Sequence, residues 1–321
     1  MRRARGVSRR ARAPAAHGGA AWEAHRAAAR GVRRLLAEVY GAAPEGAVLL
    51  APGTSVALRL LFSALGVRRI TLSASEYYGP PAFPDLRVRV VPAERVAPDA
   101  LRGRPDAVVM SVVSWRGERM PMEETFARIR STLGRAAPLL VADYSHAGAA
   151  GFPRVGECGA DVVAGDAGKW ITPVDWDDRV GFVWLRTPAL RLTAREAFAS
   201  LYLATTRPRG ALEGRWVDPD AAARIAAWAR GVRGLRRRLL ERHVTDHALA
   251  AAVAQRCGLP HPDSALVWVP SGPATRRIPA WARWNGLLWR MPDGAVRVTC
   301  RADAVDAVQV RPGRSSPGGA A

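Results

Sequence analysis

The chain has 321 residues, 49% of them hydrophobic, which is enough for a sizeable core and, on length alone, for two domains. A net charge of +20 would suit an anionic partner, but the excess is spread along the chain apart from a cluster at the start, where Arg2, Arg3, Arg5, Arg9, Arg10 and Arg12 precede the first acid, Glu23. No apolar run approaches the ~20 residues that span a bilayer, and three widely spaced cysteines, Cys158, Cys257 and Cys300, argue against a disulfide framework or a zinc site, so a reduced, cytoplasmic protein is expected.

Residues 1–19 read as a basic, disordered leader. A helical pattern over 22–39 then stops at Tyr40-Gly41, a C-cap signal. Short apolar runs at 47–50, 69–73, 88–91, 107–113, 139–143 and 161–164 read as strands, with helical patterns over 54–65 and 122–134. Continuous apolar strands alternating with helices predict an α/β domain, over 20–215, whose mostly parallel sheet is covered on both faces. Residues 180–185 follow too soon for a crossover helix and are expected to pair antiparallel. From 216 to 311 the pattern changes to a smaller α+β domain. It has a helical region over 218–256, strand-like pieces near 265–269, 287–291 and 295–299, and a last helix over 302–309. Residues 312–321 read as a flexible tail.

Lys169 is the single lysine of the chain, so 47 of the 48 basic side chains are arginines (48 − 1). Arginine stays protonated, whereas a lysine amine can be desolvated, deprotonated and used as a nucleophile toward a carbonyl. A sole lysine in a loop after an apolar strand suggests a Schiff base, commonly one with pyridoxal 5'-phosphate (PLP). Chance survival in an arginine-biased composition explains it equally well until its neighbours are considered.

Asp143 ends an apolar strand 26 positions earlier (169 − 143), at the edge where open α/β sheets bind ligands. A buried aspartate beside a pyridine nitrogen keeps it protonated and makes the ring an electron sink; a strand-end turn is the plainer use of such a residue. His146, three residues on, can reach the ring hydroxyl or serve as an ordinary loop histidine. Gly53-Thr54-Ser55 follows a strand and opens a helix, which suits a phosphate cradle or a simple N-cap. Ser75-Glu76-Tyr77-Tyr78-Gly79 brings aromatic rings to the next strand end, to stack on a flat cofactor or to pack.

The segments APGTSVALRLL, SASEYYG, VVMSVVSWRGERMPMEE, VADYSHAGAAGF, GADVVAGDAGKWITP and VGFVWLR, with a weaker GAVRVTCRADAVDAV, resemble the fold-type I PLP enzymes of the class V aminotransferase group. That group includes cysteine desulfurases and isopenicillin N epimerase-like proteins, and the resemblance covers roughly residues 45–310. It implies a three-layer PLP-transferase-like large domain and a homodimer with its sites at the interface. Lys169 would hold PLP and move the substrate's α-proton. Asp143 would pair with the ring nitrogen, with His146 supporting the ring and Tyr77 stacking on it. Thr54 and the Ser55 backbone would hold the phosphate, Ser114 would approach the ring hydroxyl, and Arg297 would clamp a substrate carboxylate.

Two positions depart from the pattern: Gly168 stands where many relatives have histidine, and Asp166 where others carry a phosphate-binding hydroxyl. The N-terminal arm has no counterpart, and the C-terminal domain is compressed. None of the cysteines stands on a loop suited to a desulfurase. The expected activity is an aminotransferase acting on an amino acid or amine. The alternatives are a C–S lyase or epimerase of the same fold, an inactive partner subunit, and a basic nucleic-acid-binding protein that would leave Asp143, Thr54 and Lys169 unexplained.

Overall fold

The computed structural model describes residues 16–41, 47–51, 53–76, 78–147, 157–167, 180–186, 190, 224–225, 227, 230–283 and 287–305. Helix α1 (Ala16–Tyr40) leads into β1 (Ala47–Ala51), α2 (Thr54–Leu65), β2 (Arg69–Ser73), β3 (Arg87–Val91), α3 (Val96–Gly103), β4 (Ala107–Ser111), α4 (Met122–Leu133), β5 (Leu139–Asp143), β6 (Val162–Asp166) and β7 (Gly181–Leu185). Helix α5 (Leu235–Cys257), β8 (Leu266–Val269), β9 (Leu288–Arg290) and β10 (Val296–Thr299) follow. Residues 1–15 of the expected 1–19 leader, the domain boundary expected near 215 and the tail at 312–321 lie outside the described residues, whereas residues 16–19, expected to be disordered, form the first turn of α1.

Seven strands form one sheet in the order β1-β7-β6-β5-β4-β2-β3. Neighbouring pairs are parallel except where β7 runs against both β6 and β1. The antiparallel placement of 180–185 expected from its short connection is therefore observed. Alternate residues serve opposite faces, as the period of two requires. Val108 and Met110 of β4 join one apolar cluster with α1, α3, α4 and the start of α5; Ala107 and Val109 join another with α2. That division gives three layers, helices on both sides of the sheet.

Three elements differ from the sequence expectation. β4 stops at Ser111 because Val112 already donates to the Asp143 carbonyl (3.0 Å) and Val113 bridges Arg119 as the chain turns. α3 has no clear signal in the sequence because it is short and carries Pro98, which a first helical turn tolerates. The long helical region is interrupted before Leu235, where Gly234 adopts φ 64° and starts α5 afresh.

A second sheet, β8-β10-β9, is antiparallel throughout and packs its apolar face on α5 through Val267, Val269, Val296 and Val298 against Ala250, Val253 and Ala254. It meets the loop after β4 at Gly117, whose φ is +96°, a value that favours glycine. A Cβ there would stand 2.7 Å from the Leu266 carbonyl, and the Ser264 hydroxyl donates to the Gly117 carbonyl at 2.9 Å. Trp115 packs edge-on against Trp268 at 4.6 Å, with the Arg116 guanidinium over both rings. The small sheet is thus held beside the strand ends of the large one.

Candidate active site

The C-terminal ends of β1, β2, β4, β5 and β6 lie along one edge of the large sheet, and the candidate residues are on the loops that leave it. Asp143 is the last residue of β5 and is buried. Its carboxylate accepts the Ser145 backbone N–H at 2.6 Å on one oxygen and the Tyr78 hydroxyl at 2.7 Å on the other. Two donors on one buried carboxylate are the usual way to hold such a charge without water. Burial, and then the nearby Asp143 and Glu76 charges, raise the Tyr78 phenol well above its ordinary range, so Tyr78 stays a donor.

The turn after β1 faces the same place. Gly53 has φ 104° at the N-cap of α2 and, being glycine, brings no side chain of its own to the helix's first N–H groups. Thr54 is buried, and its hydroxyl lies 2.8 Å from that of Ser145, which joins the turn to the Asp143 loop. A Cβ on Gly181 of β7 would run into the Gly53 backbone, so the turn depends on a bare strand beside it. Ser55 occupies the first turn of α2, half-buried.

Arg297 of β10 reaches the site from the small sheet. It is buried, with Nη1 3.2 Å from His146 Nε2 and its guanidinium 5.5 Å from the Trp289 ring centre. A guanidinium can only donate, so Nε2 of His146 accepts and the ring's proton is on Nδ1. In antiparallel register Arg297 stands opposite Trp289 on one side and Trp268 on the other, so all three share a face.

Thr54, Asp143 with His146, and Arg297 are thereby brought together from three separate stretches of chain. Ser114 is engaged differently. Its hydroxyl accepts the N–H groups of Arg116 and Glu118, both at 3.1 Å, and so shapes its own loop. Lys169, Gly168 and Tyr77 lie outside the described residues. Asp166 ends β6 opposite Gly181.

Glu76, Ser111 and Ser145 are given no role by the sequence, and Tyr78 is offered there only as an aromatic ring, not as a donor to Asp143. The buried Glu76 carboxyl takes the Ser111 N–H on one oxygen and pairs with the Ser111 hydroxyl through the other. Burial first, and the Asp143 charge second, push it up to about 8 against the lowering effect of Ser111. The signal in the sequence is Ser75-Glu76-Tyr77, which places an acid shortly after an apolar strand.

A helix N-terminus with glycine at its N-cap and a buried carboxylate held by Tyr78 and Ser145, on one sheet edge, fit the phosphate and the pyridine nitrogen of PLP. Similar folds occur in enzymes of amino-acid chemistry. Alanine–glyoxylate aminotransferase from Nostoc sp. superposes with a TM-score of 0.61 at 14% identity, covering 91% of this chain and 85% of that one. Ureidoglycine–glyoxylate aminotransferase from Bacillus subtilis gives 0.59 at 14%, over 96% and 90%. Cystathionine gamma synthase from Xanthomonas oryzae pv. oryzae, in complex with aminoacrylate and cysteine, gives 0.59 at 17%, over 88% and 83%. The fold is that of the fold-type I PLP-dependent enzymes. No protein-family model and no curated protein matches the chain.

Proposed function

We propose that this fold-type I protein is a PLP-dependent enzyme of amino acids or amines, and specifically an aminotransferase working as a homodimer in the cytoplasm. The observation that carries the reading is Asp143, a buried carboxylate at a strand end, held by Tyr78 and Ser145 beside the glycine-capped start of α2. PLP, when bound, supplies the electron sink that makes a substrate's α-proton acidic.

The chain's own residues supply the rest. Asp143 holds a proton on the ring nitrogen by its charge. The N–H groups at the start of α2, with Thr54, bind the phosphate. The Lys169 amine carries the cofactor and moves the proton at the substrate's α-carbon. Tyr77 stacks on the ring, and Arg297 receives the substrate carboxylate in its planar fork, oriented by His146. A dimer partner would close the pocket from outside.

The cysteines favour this reading over a desulfurase. All three are buried, and burial raises each thiol above its ordinary range, the reverse of what a nucleophilic thiolate requires.

The deciding experiment is a half-reaction. PLP-loaded protein mixed with single amino acids should convert the cofactor to its amine form and release the matching keto acid. Release of a thiol, or return of the mirror-image amino acid with the cofactor unchanged, would replace the aminotransferase with a lyase or an epimerase.

A further inference from the structure

Thr54 and Ser145 follow two different strands, β1 and β5, and their buried hydroxyl oxygens meet at 2.8 Å. Thr54 is the first residue of α2. The hydrogen-bond ladder of that helix begins with the Ala57 N–H on the Gly53 carbonyl at 3.1 Å. The N–H groups ahead of Ala57 point out of the helix start, where an anion is favoured. Ser145 meanwhile gives its backbone N–H to Asp143 at 2.6 Å. One residue therefore touches both ends of the candidate site, the carboxylate through its backbone and the turn through its side chain.

A hydroxyl brings one proton and both donates and accepts. The contact between Thr54 and Ser145 uses one of their two protons, and the other is directed beyond the pair. Which residue gives the internal bond does not alter this result. With Thr54 donating, Ser145 is the outward donor; with Ser145 donating, Thr54 is. In both arrangements the outward oxygen is fixed by its neighbour, and a chain of two such bonds is polarised toward its acceptor.

We propose that Ser145 shares the phosphate-binding task of Thr54: the two buried hydroxyls act as one unit that presents a single O–H to a phosphate monoester at the start of α2. The unit favours the phosphorylated cofactor over its unphosphorylated form. The inference rests on the reading of this turn as the phosphate end of the PLP site. Two substitutions isolate the hydroxyls. Ser145→Ala removes the side-chain oxygen and keeps the N–H that Asp143 accepts. Thr54→Val removes the other oxygen at nearly constant shape.

The test compares PLP with pyridoxal, which lacks only the phosphate, in absorbance titrations of the cofactor-free full chain. Wild type, both single variants and the double variant are titrated, with melting curves to show that each folds. Hydrogen bonds to charged groups are the strong ones, so each single variant should bind PLP roughly tenfold to a hundredfold more weakly. Pyridoxal affinity should stay as in wild type. Because the hydroxyls form one unit, the double variant should bind PLP about as weakly as the weaker single variant, and the two losses should not multiply.

A Ser145→Ala chain that binds PLP like wild type, or that loses PLP and pyridoxal affinity alike, would overturn the proposal and leave the functional reading standing. Losses that multiply in the double variant would make the hydroxyls separate ligands and end the shared-donor account. A wild type that binds neither compound would instead overturn the functional reading, and this inference with it. Should Ser145→Ala not fold, Ser145→Cys keeps the volume with only a weak donor and is read in the same way.

Discussion

Arg297 and His146 are 151 positions apart, and the guanidinium of one meets the imidazole of the other at 3.2 Å. That contact joins the small sheet to the loop that follows Asp143, and under the proposed function it would place a substrate carboxylate on Arg297 relative to Asp143. Lysine at 297 would keep the charge but lose the planar fork and the contact with Trp289. Hydrogen bonds to charged groups contribute about 1.5–3 kcal/mol. Arg297→Lys should therefore raise KM for a carboxylate-bearing substrate roughly tenfold to a hundredfold while leaving a decarboxylated amine analogue unaffected. Steady-state kinetics on such a pair reads the difference; an equal loss on both would remove Arg297 from carboxylate binding.

Tyr78→Phe removes the phenolic donor to the Asp143 carboxylate without changing the ring's packing against Phe83 (5.6 Å between centres). A buried acceptor deprived of its donor costs about 1–3 kcal/mol. The variant should lose that much stability in denaturant titration and bind PLP more weakly. Unchanged values in both would mean that Tyr78 does not support Asp143.

Gly181→Ala tests the phosphate turn. The new methyl has nowhere to go but the Gly53 backbone, which belongs to another strand's end and cannot swing aside like a side chain. Overpacking of this kind costs about 1–3 kcal/mol. PLP affinity, measured by fluorescence titration, should fall further than stability does, because the displaced element is the start of α2.

Asp246, on α5, is buried yet accepts the Ala302 N–H at 2.7 Å and pairs with Arg242 at 3.9 Å. Burial dominates and raises it to about 6. Its contribution to stability is complete below the ordinary aspartate value and is lost as pH rises through about 6. Asp246→Asn should flatten the stability profile between about pH 4 and 6 by at most ~3 kcal/mol.

Much of the large sheet was legible because its strands are short apolar runs buried on both faces, which need no tertiary information to stand out. Asp143 was legible for a related reason, as an acid at the end of such a run. The Glu76–Ser111 and Tyr78–Asp143 pairs were not, since both depend on which strands become neighbours: β2 and β5 flank β4 only after the crossovers are made. The same holds for Arg297, one arginine among 47, which stands out only when β10 carries it to His146. Helix boundaries failed where a single glycine, Gly234, outweighs a continuous helical pattern on either side.

The measurement closest to the centre of the account is the near-visible absorption of the purified protein with added PLP, before and after borohydride, beside Lys169→Ala. A yellow band that borohydride abolishes, with the reduced label mapped to Lys169 and no such band in the variant, is the predicted result. No band in the wild type, or the same band in Lys169→Ala, would contradict the reading of this fold as a working PLP enzyme.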